Sequence, residues 1–267
     1  MTKPLELAIL PQPNDTTCGP TCLHAVYAYF DDALPLDQVI AEIPSLEGGG
    51  TLAAILGCHA LRRGFRATIY TYNLRVFDPT WFDTTFASHE PDGSSGSKST
   101  GREDLERRNA RLIERIDAQL AVKSSPRLHA ASQAYRDFLT LGGEVRMEDL
   151  NSALIRRYLN RDTPILTGLS ATYLYRSMRE IGADCRPDDI EGLPCGHFVV
   201  LAGYDKHSKL VDVADPYSAN PLGDRHHYQV QLDRLVCAIM LGVLTYDANL
   251  LILEPRRKGS SVEPRRG

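Results

Sequence analysis

The chain has 267 residues, 43% of them apolar and 24% charged, with a formal net charge of -4. That length and apolar share can bury a sizeable core, as one large domain or as one domain carrying a long insertion, and the near-balanced charge argues against a nucleic-acid partner and a disordered acidic tail. No stretch reaches the roughly 20 apolar residues of a membrane span, and the start MTKPLELAILPQ lacks the apolar core of a signal peptide. A cytoplasmic protein is therefore expected, its six cysteines (18, 22, 58, 185, 195 and 237) free rather than paired into a disulfide framework.

In chain order, LELAILPQ reads as a short strand, followed by the polar run QPNDTTCGPTCL. Cys22, Val26 and Tyr29 recur at helical spacing, so a helix is expected from Cys18 to about Phe30, with Pro20 in a first turn that tolerates its missing N–H. A second helix is predicted from about Thr51 to Arg63. It ends at Gly64 before the alternating strand FRATIYTYN. Residues 89–101, HEPDGSSGSKSTG, carry almost nothing to bury and read as a flexible loop. Three helices follow, marked by Leu105 to Leu120, Leu128 to Leu141 and Met147 to Leu159. Strands are then expected at TPILTGL, HFVVLAGY, KLVDVAD, HHYQVQL and NLLILEP, and residues 256–267 read as a disordered tail. The expectation is a single α+β domain over 1–255 with a helical insertion at about 76–160.

Cys18 stands where a turn becomes a helix. The unpaired N–H groups and partial positive charge of a helix N-terminus favour a thiolate over a thiol, so this is a place for a nucleophile. A lone cysteine is more often a small core residue, and the other motifs decide between the two. GHFVVLAGYDKHSKLVDVADP reads as a β-hairpin centred on position 206, which sets His197 opposite Asp215 on one face, a carboxylate beside an imidazole. With Cys18 these make a nucleophile, a base and an orienting group. Gln12, six positions before the thiol, can supply a side-chain amide to the oxyanion that acyl transfer creates, beside the N–H of Cys18.

Gln12, the CGP at 18–20, the GHFVVL at 196–201 and the DP at 215–216 together resemble papain-like cysteine peptidases, in particular the bacteriocin-processing, double-glycine-leader branch. The resemblance covers roughly residues 5–75 and 160–255. It implies a papain-like α+β fold in which an N-terminal helix carrying the nucleophile packs on an antiparallel sheet. It also implies a Cys18, His197, Asp215 triad with Gln12 in the oxyanion hole. The chain departs from the branch in having Thr17 where Asp often precedes the cysteine, and in the helical insertion.

Other motifs are weaker. DGSSGSKST lacks the Gly that a phosphate loop needs before its Lys. Cys195, His197, His226 and His227 fit no zinc spacing, and metal at His197 would leave Cys18 without a base, so no metal or cofactor is expected. Cys58 and His59 are adjacent on a helix and diverge by about 100°, which makes Cys58 a core residue. Tyr173 and Tyr175 are candidate substrate contacts at the cleft edge. The reading is a cysteine peptidase or amidase acting on a peptide or small amide through a thioester. An acyl transferase using the same triad and a non-catalytic peptide-binding module remain as alternatives.

Overall fold

The computed structural model describes residues 4–46, 49–82, 101–182, 184–223 and 225–256. The expected loop at 89–101 and tail at 256–267 lie outside the described residues except for Gly101, which already begins a helix, and Arg256. The chain opens not on a strand but on an extended segment joined to the rest by isolated backbone bonds, Leu5 N to Ala202 O at 2.7 Å and Gln12 N to Pro216 O at 2.9 Å. Pro4, Pro11 and Pro13 carry no N–H, which breaks the row of donors that a ladder requires.

Helix α1 (Cys18–Tyr29) is buried on almost every side, as its apolar content requires. It is followed by α2 (Leu36–Glu42) and α3 (Ala53–Arg62), and then by strand β1 (Phe65–Thr71). A 3-10 turn at Pro79–Trp81 leads toward α4 (Gly101–Leu120) and α5 (Pro126–Thr140). Strand β2 (Glu144–Arg146) and helix α6 (Ser152–Leu159) come next. Asn151 caps α6, its Oδ1 accepting from the N–H groups of Ala153 and Leu154 at 2.9 and 3.1 Å. That cap starts α6 five residues later than the apolar pattern from Met147 suggests.

The last third holds β3 (Ile165–Ser170), α7 (Ala171–Tyr175), the short pair β4 (Glu180–Ile181) and β5 (Arg186–Pro187), and β6 (Gly196–Asp205). It closes with β7 (Leu210–Ala214), β8 (His227–Gln231), α8 (Leu232–Leu241), a 3-10 turn at Gly242–Thr245 and β9 (Asn249–Pro255). Seven strands form one sheet in the order β2-β1-β9-β3-β6-β7-β8, antiparallel throughout except for the edge pair β1 and β2.

The fold class is α+β, with the Cys18 helix packed on an antiparallel sheet. Alternation along β6 sends Phe198, Val200 and Ala202 to one side, into a core shared with α1, α3 and α5. Val199 and Leu201 go to the other side, into a core shared with α6 and α8. The helices between 101 and 160 belong to these same cores. Tyr135 and Phe138 of α5 are buried with Leu56 of α3, and β2 pairs with the edge strand β1. Gly57 permits the close approach, since a Cβ there would lie 2.5 Å from the ring of Phe138.

Candidate active site

The turn before α1 is built by side chains that bond their own backbone. Thr16 N and Oγ1 donate to Asn14 Oδ1, and Thr17 Oγ1 donates to Asn14 O. No side chain caps α1, and the first N–H groups of a helix, that of Cys18 among them, have no partner within the helix. Two contacts set the height of α1 over the sheet. Gly19 lies so close to its neighbours that a Cβ would come within 2.5 Å of Thr51 Cγ2 and 3.3 Å of the Phe198 ring. One turn further on, Cys22 Sγ donates to Phe198 O at 3.2 Å, next to the candidate base. Cys22 is fully buried and burial raises its pKa, so it remains a thiol and a donor.

The structure brings His197 and Asp215 together, His197 Nε2 lying 2.8 Å from Asp215 Oδ1, but not by the register expected from a turn centred on 206. Asp205 pairs with Leu210 across a longer turn in which Lys209 adopts a φ of 57°. The ladder then shifts at a β-bulge between Leu201 and Gly203, so that Val200 pairs with Ala214. Continued from there, the position opposite His197 is 217, and Asp215 is its diagonal neighbour. The bulge decides the chemistry. In the register of the turn, Gly203 with Asp212, residues 197 and 215 would point to opposite faces; one extra residue in β6 returns them to the same face.

Asp215 is wholly buried and its carboxylate has four hydrogen-bond partners. Oδ1 accepts from His197 and from Tyr217 N at 2.9 Å, and Oδ2 accepts from the hydroxyls of Tyr175 and, at 2.6 Å, Tyr228. Burial alone would raise its pKa, but the charge of His197 and these donors hold it below the ordinary carboxylate value. At His197, 7% exposed, burial disfavours the imidazolium, yet the Asp215 carboxylate and Cys18 raise its pKa to about 10. Cys18, also 7% exposed, lies close enough to His197 to interact with it electrostatically. The thiol, imidazole and carboxylate thus lie together, buried, at the start of β6.

Gln12 is anchored beside this chain, because its N–H bonds the carbonyl of Pro216, next to Asp215. Its Nε2 donates to Asn14 O at 3.0 Å, leaving a second N–H on the same nitrogen. Tyr175 ends a short helix whose N-cap, Ser170 Oγ, accepts from Tyr173 N. Its hydroxyl is engaged by Asp215, and its ring lies 6.0 Å from that of His197 and 6.2 Å from that of Tyr217. Tyr173 is more exposed, with the Arg234 guanidinium 5.1 Å above its ring. The sequence reading missed Tyr217 and Tyr228. Tyr228 reaches Asp215 because Val213 pairs with it across β7 and β8, a register that the long 215–226 connection hides from sequence inspection.

The other thiols are differently placed. Burial raises the pKa of Cys58 to about 11 and also pushes up those of Cys185 and Cys195, both of which lie near the Glu180 carboxylate. His59 is bonded by Tyr27 and Glu42 at 2.8 Å each, away from Cys18. Among the described residues, no group of three His, Cys, Asp or Glu side chains is placed to hold a metal ion, and no helix is long and apolar enough to cross a membrane.

Residues 115–235 match the model of the Peptidase_C39-like family. The matched span holds His197 and Asp215, and Cys18 lies before it. The chain thus resembles C39-like peptidases, as its motifs suggest. No curated protein matches the chain. Among solved structures, it is similar over 94% of its length to a protein described as a C39-like peptidase from Bacillus anthracis, covering 96% of that chain, with 12% identity and a TM-score of 0.45. It is likewise similar over 94% of both chains, at 13% identity and a TM-score of 0.42, to a double-glycine-motif protease from an AMS/PCAT transporter in complex with the leader peptide. A third is xylellain, a cysteine protease from Xylella fastidiosa, with 14% identity, coverage of 96% of this chain and 85% of that one, and a TM-score of 0.40.

Proposed function

We propose that the chain is a cysteine peptidase or amidase that cleaves a peptide or amide bond through a thioester on Cys18. The observation that carries this reading is the buried His197–Asp215 pair at 2.8 Å, reached by the thiol that begins an uncapped helix. Cys18 and His197 form a thiolate and imidazolium pair. The sulfur attacks the carbonyl carbon, and the electrons of the C=O bond move to oxygen, which the Cys18 N–H and the free N–H of Gln12 hold. His197 gives its proton to the amine as the C–N bond breaks, leaving a thioester. Neutral His197 then takes a proton from water, whose oxygen attacks the thioester, releasing the carboxylic acid and restoring the pair. Asp215 orients the ring and offsets its charge. Tyr175 serves the carboxylate, and Tyr173 keeps an exposed edge for substrate.

Iodoacetamide at about pH 6, read by mass spectrometry, tests this reading. Cys18 should be alkylated faster than exposed Cys237, and His197→Ala should abolish the difference. Incubation with a peptide mixture should leave an acyl group on Cys18 that is absent from Cys18→Ala. If Cys18 reacts no faster than Cys237 and His197→Ala changes nothing, the pair is not formed and the peptidase reading fails.

A further inference from the structure

Asp247 is a second buried carboxylate next to the candidate base, and the mechanism above makes no use of it. It lies between the 3-10 turn at Gly242–Thr245 and β9, is 7% exposed, and is surrounded by glycines. A Cβ at Gly196, the residue before His197, would lie 2.2 Å from Asp247 Oδ2, and one at Gly168 would lie 2.8 Å from Asp247 Cβ. The backbone makes room for this carboxylate: β3 and β6 both carry glycine where it presses on them, and Asp247 N is tied to Gly242 O at 2.8 Å. Gly196 faces the same side of β6 as Phe198 and Val200, whereas Asp215 follows Val211 and Val213 on the other side. The two carboxylates therefore approach the start of β6 from opposite faces.

Resting on the peptidase reading, we infer that Asp247 is a positioning residue that works on His197 through its charge, joining Asp215 in holding the ring as an imidazolium. Polar and charged groups from several elements face Asp247. The Thr245 hydroxyl, which donates to Gly242 O at 3.1 Å, lies beside its carboxyl, Arg127 at the start of α5 and His197 on β6 attract its anion, and the buried phenol of Tyr135 on α5 lies near it. Burial is the largest influence and raises its pKa to about 7, against which Thr245, Arg127 and His197 pull downward. Asp247 thus gains its charge near neutrality, and the field it applies to His197 grows as pH rises through that range.

The test follows the histidine ring resonances of the full chain by NMR across pH, with His197 assigned by its loss in His197→Gln. In the unsubstituted protein, His197 should stay protonated well above pH 7 and show a small inflection near pH 7 as Asp247 ionises. In Asp247→Asn the inflection should vanish and the His197 midpoint should fall by roughly half a pH unit or more. Thr245→Val, which removes a donor while keeping the carboxyl, should move the inflection upward; this arm stands even if Asp247→Asn does not fold. A purely structural Asp247 would change the melting temperature and leave the His197 midpoint in place, which overturns the inference. If His197 titrates near 6.5 in the unsubstituted protein and Cys18 labels slowly, the peptidase reading falls and the inference with it. An alkaline His197 midpoint that neither variant moves overturns the Asp247 inference alone.

Discussion

At the scale of single residues, the site is governed by how Asp215 is satisfied. A buried carboxylate is tolerable only when its oxygens are fully hydrogen-bonded, and here two phenols occupy Oδ2 while His197 and a backbone N–H occupy Oδ1. Tyr228→Phe removes one bond to an ionised group and should destabilise the fold by about 1.5–3 kcal/mol, measured as a lower urea midpoint. An unchanged midpoint would mean that the phenol contributes nothing. Gln12→Ala should slow turnover of any cleaved peptide roughly 10²–10³-fold, the usual loss for one oxyanion donor. A change confined to KM would reduce Gln12 to a binding residue.

The elements convert these residues into a geometry. Helix α1 sits at the height that Gly19 and the Cys22 to Phe198 bond allow. Gly19→Ala should push the helix start off β6, destabilise by about 1–3 kcal/mol and slow iodoacetamide labelling of Cys18. Adding Thr51→Ala, which removes the methyl 2.5 Å from the new Cβ, should restore much of both. No rescue would place the strain elsewhere. The bulge in β6 makes a sharper case. Deleting Ala202 would straighten the strand while keeping Leu201 opposite Val213, so Phe198, Val200 and His197 would stay on their present faces, whereas deleting Val199 would move Phe198 to the wrong core and turn His197 away from Asp215. Loss of both cooperative unfolding and fast Cys18 labelling is expected of the Val199 deletion, and retention of fast labelling of the Ala202 deletion; the reverse pattern would refute this account of the pair.

Over the whole molecule, charge and topology act together. The raised pKa of His197 contributes stability that is complete below about pH 6.5 and is lost as pH rises through about 10. The raised pKa of Asp247 likewise contributes stability below about pH 3.8 that is lost as pH rises through about 7. Asp215, with its pKa lowered, contributes stability above about pH 3.8 that is lost on acidification. Melting temperature should therefore decline from about pH 5 to pH 9, and Asp247→Asn should decline less between pH 5 and 7 than the unsubstituted chain; parallel curves would rule out a neutral buried Asp247. As for architecture, we propose that residues 76–160 are part of one domain. Excising 101–142 would uncover the core that Tyr135 and Phe138 close and should abolish a cooperative melting transition, whereas a separable insertion would leave one intact.

Much of this protein is local and so legible in its sequence. The α1 start at Cys18 follows from turn residues and Pro20, and β1, β3, β6, β7, β8 and β9 follow from apolar runs bounded by turn residues. The four residues Gln12, Cys18, His197 and Asp215 stand out because each is the residue type its step of acyl transfer needs. What stayed hidden depends on pairing between distant segments. A hairpin's register can be counted from its turn only when no residue bulges out, and no local pattern marks Ala202 as the extra one. Helix α8 went unread because its apolar face is defined by β3, which lies some 60 residues away. Strand β2 is three residues long and exists only because β1 offers it an edge. The phenols on Asp215 and the second carboxylate at Gly196 likewise come from α7, β8 and the turn before β9, brought together by strand order. Sequence determined which groups are present and where helices and strands begin; tertiary structure decided which of them touch, because contact between distant segments depends on register and packing.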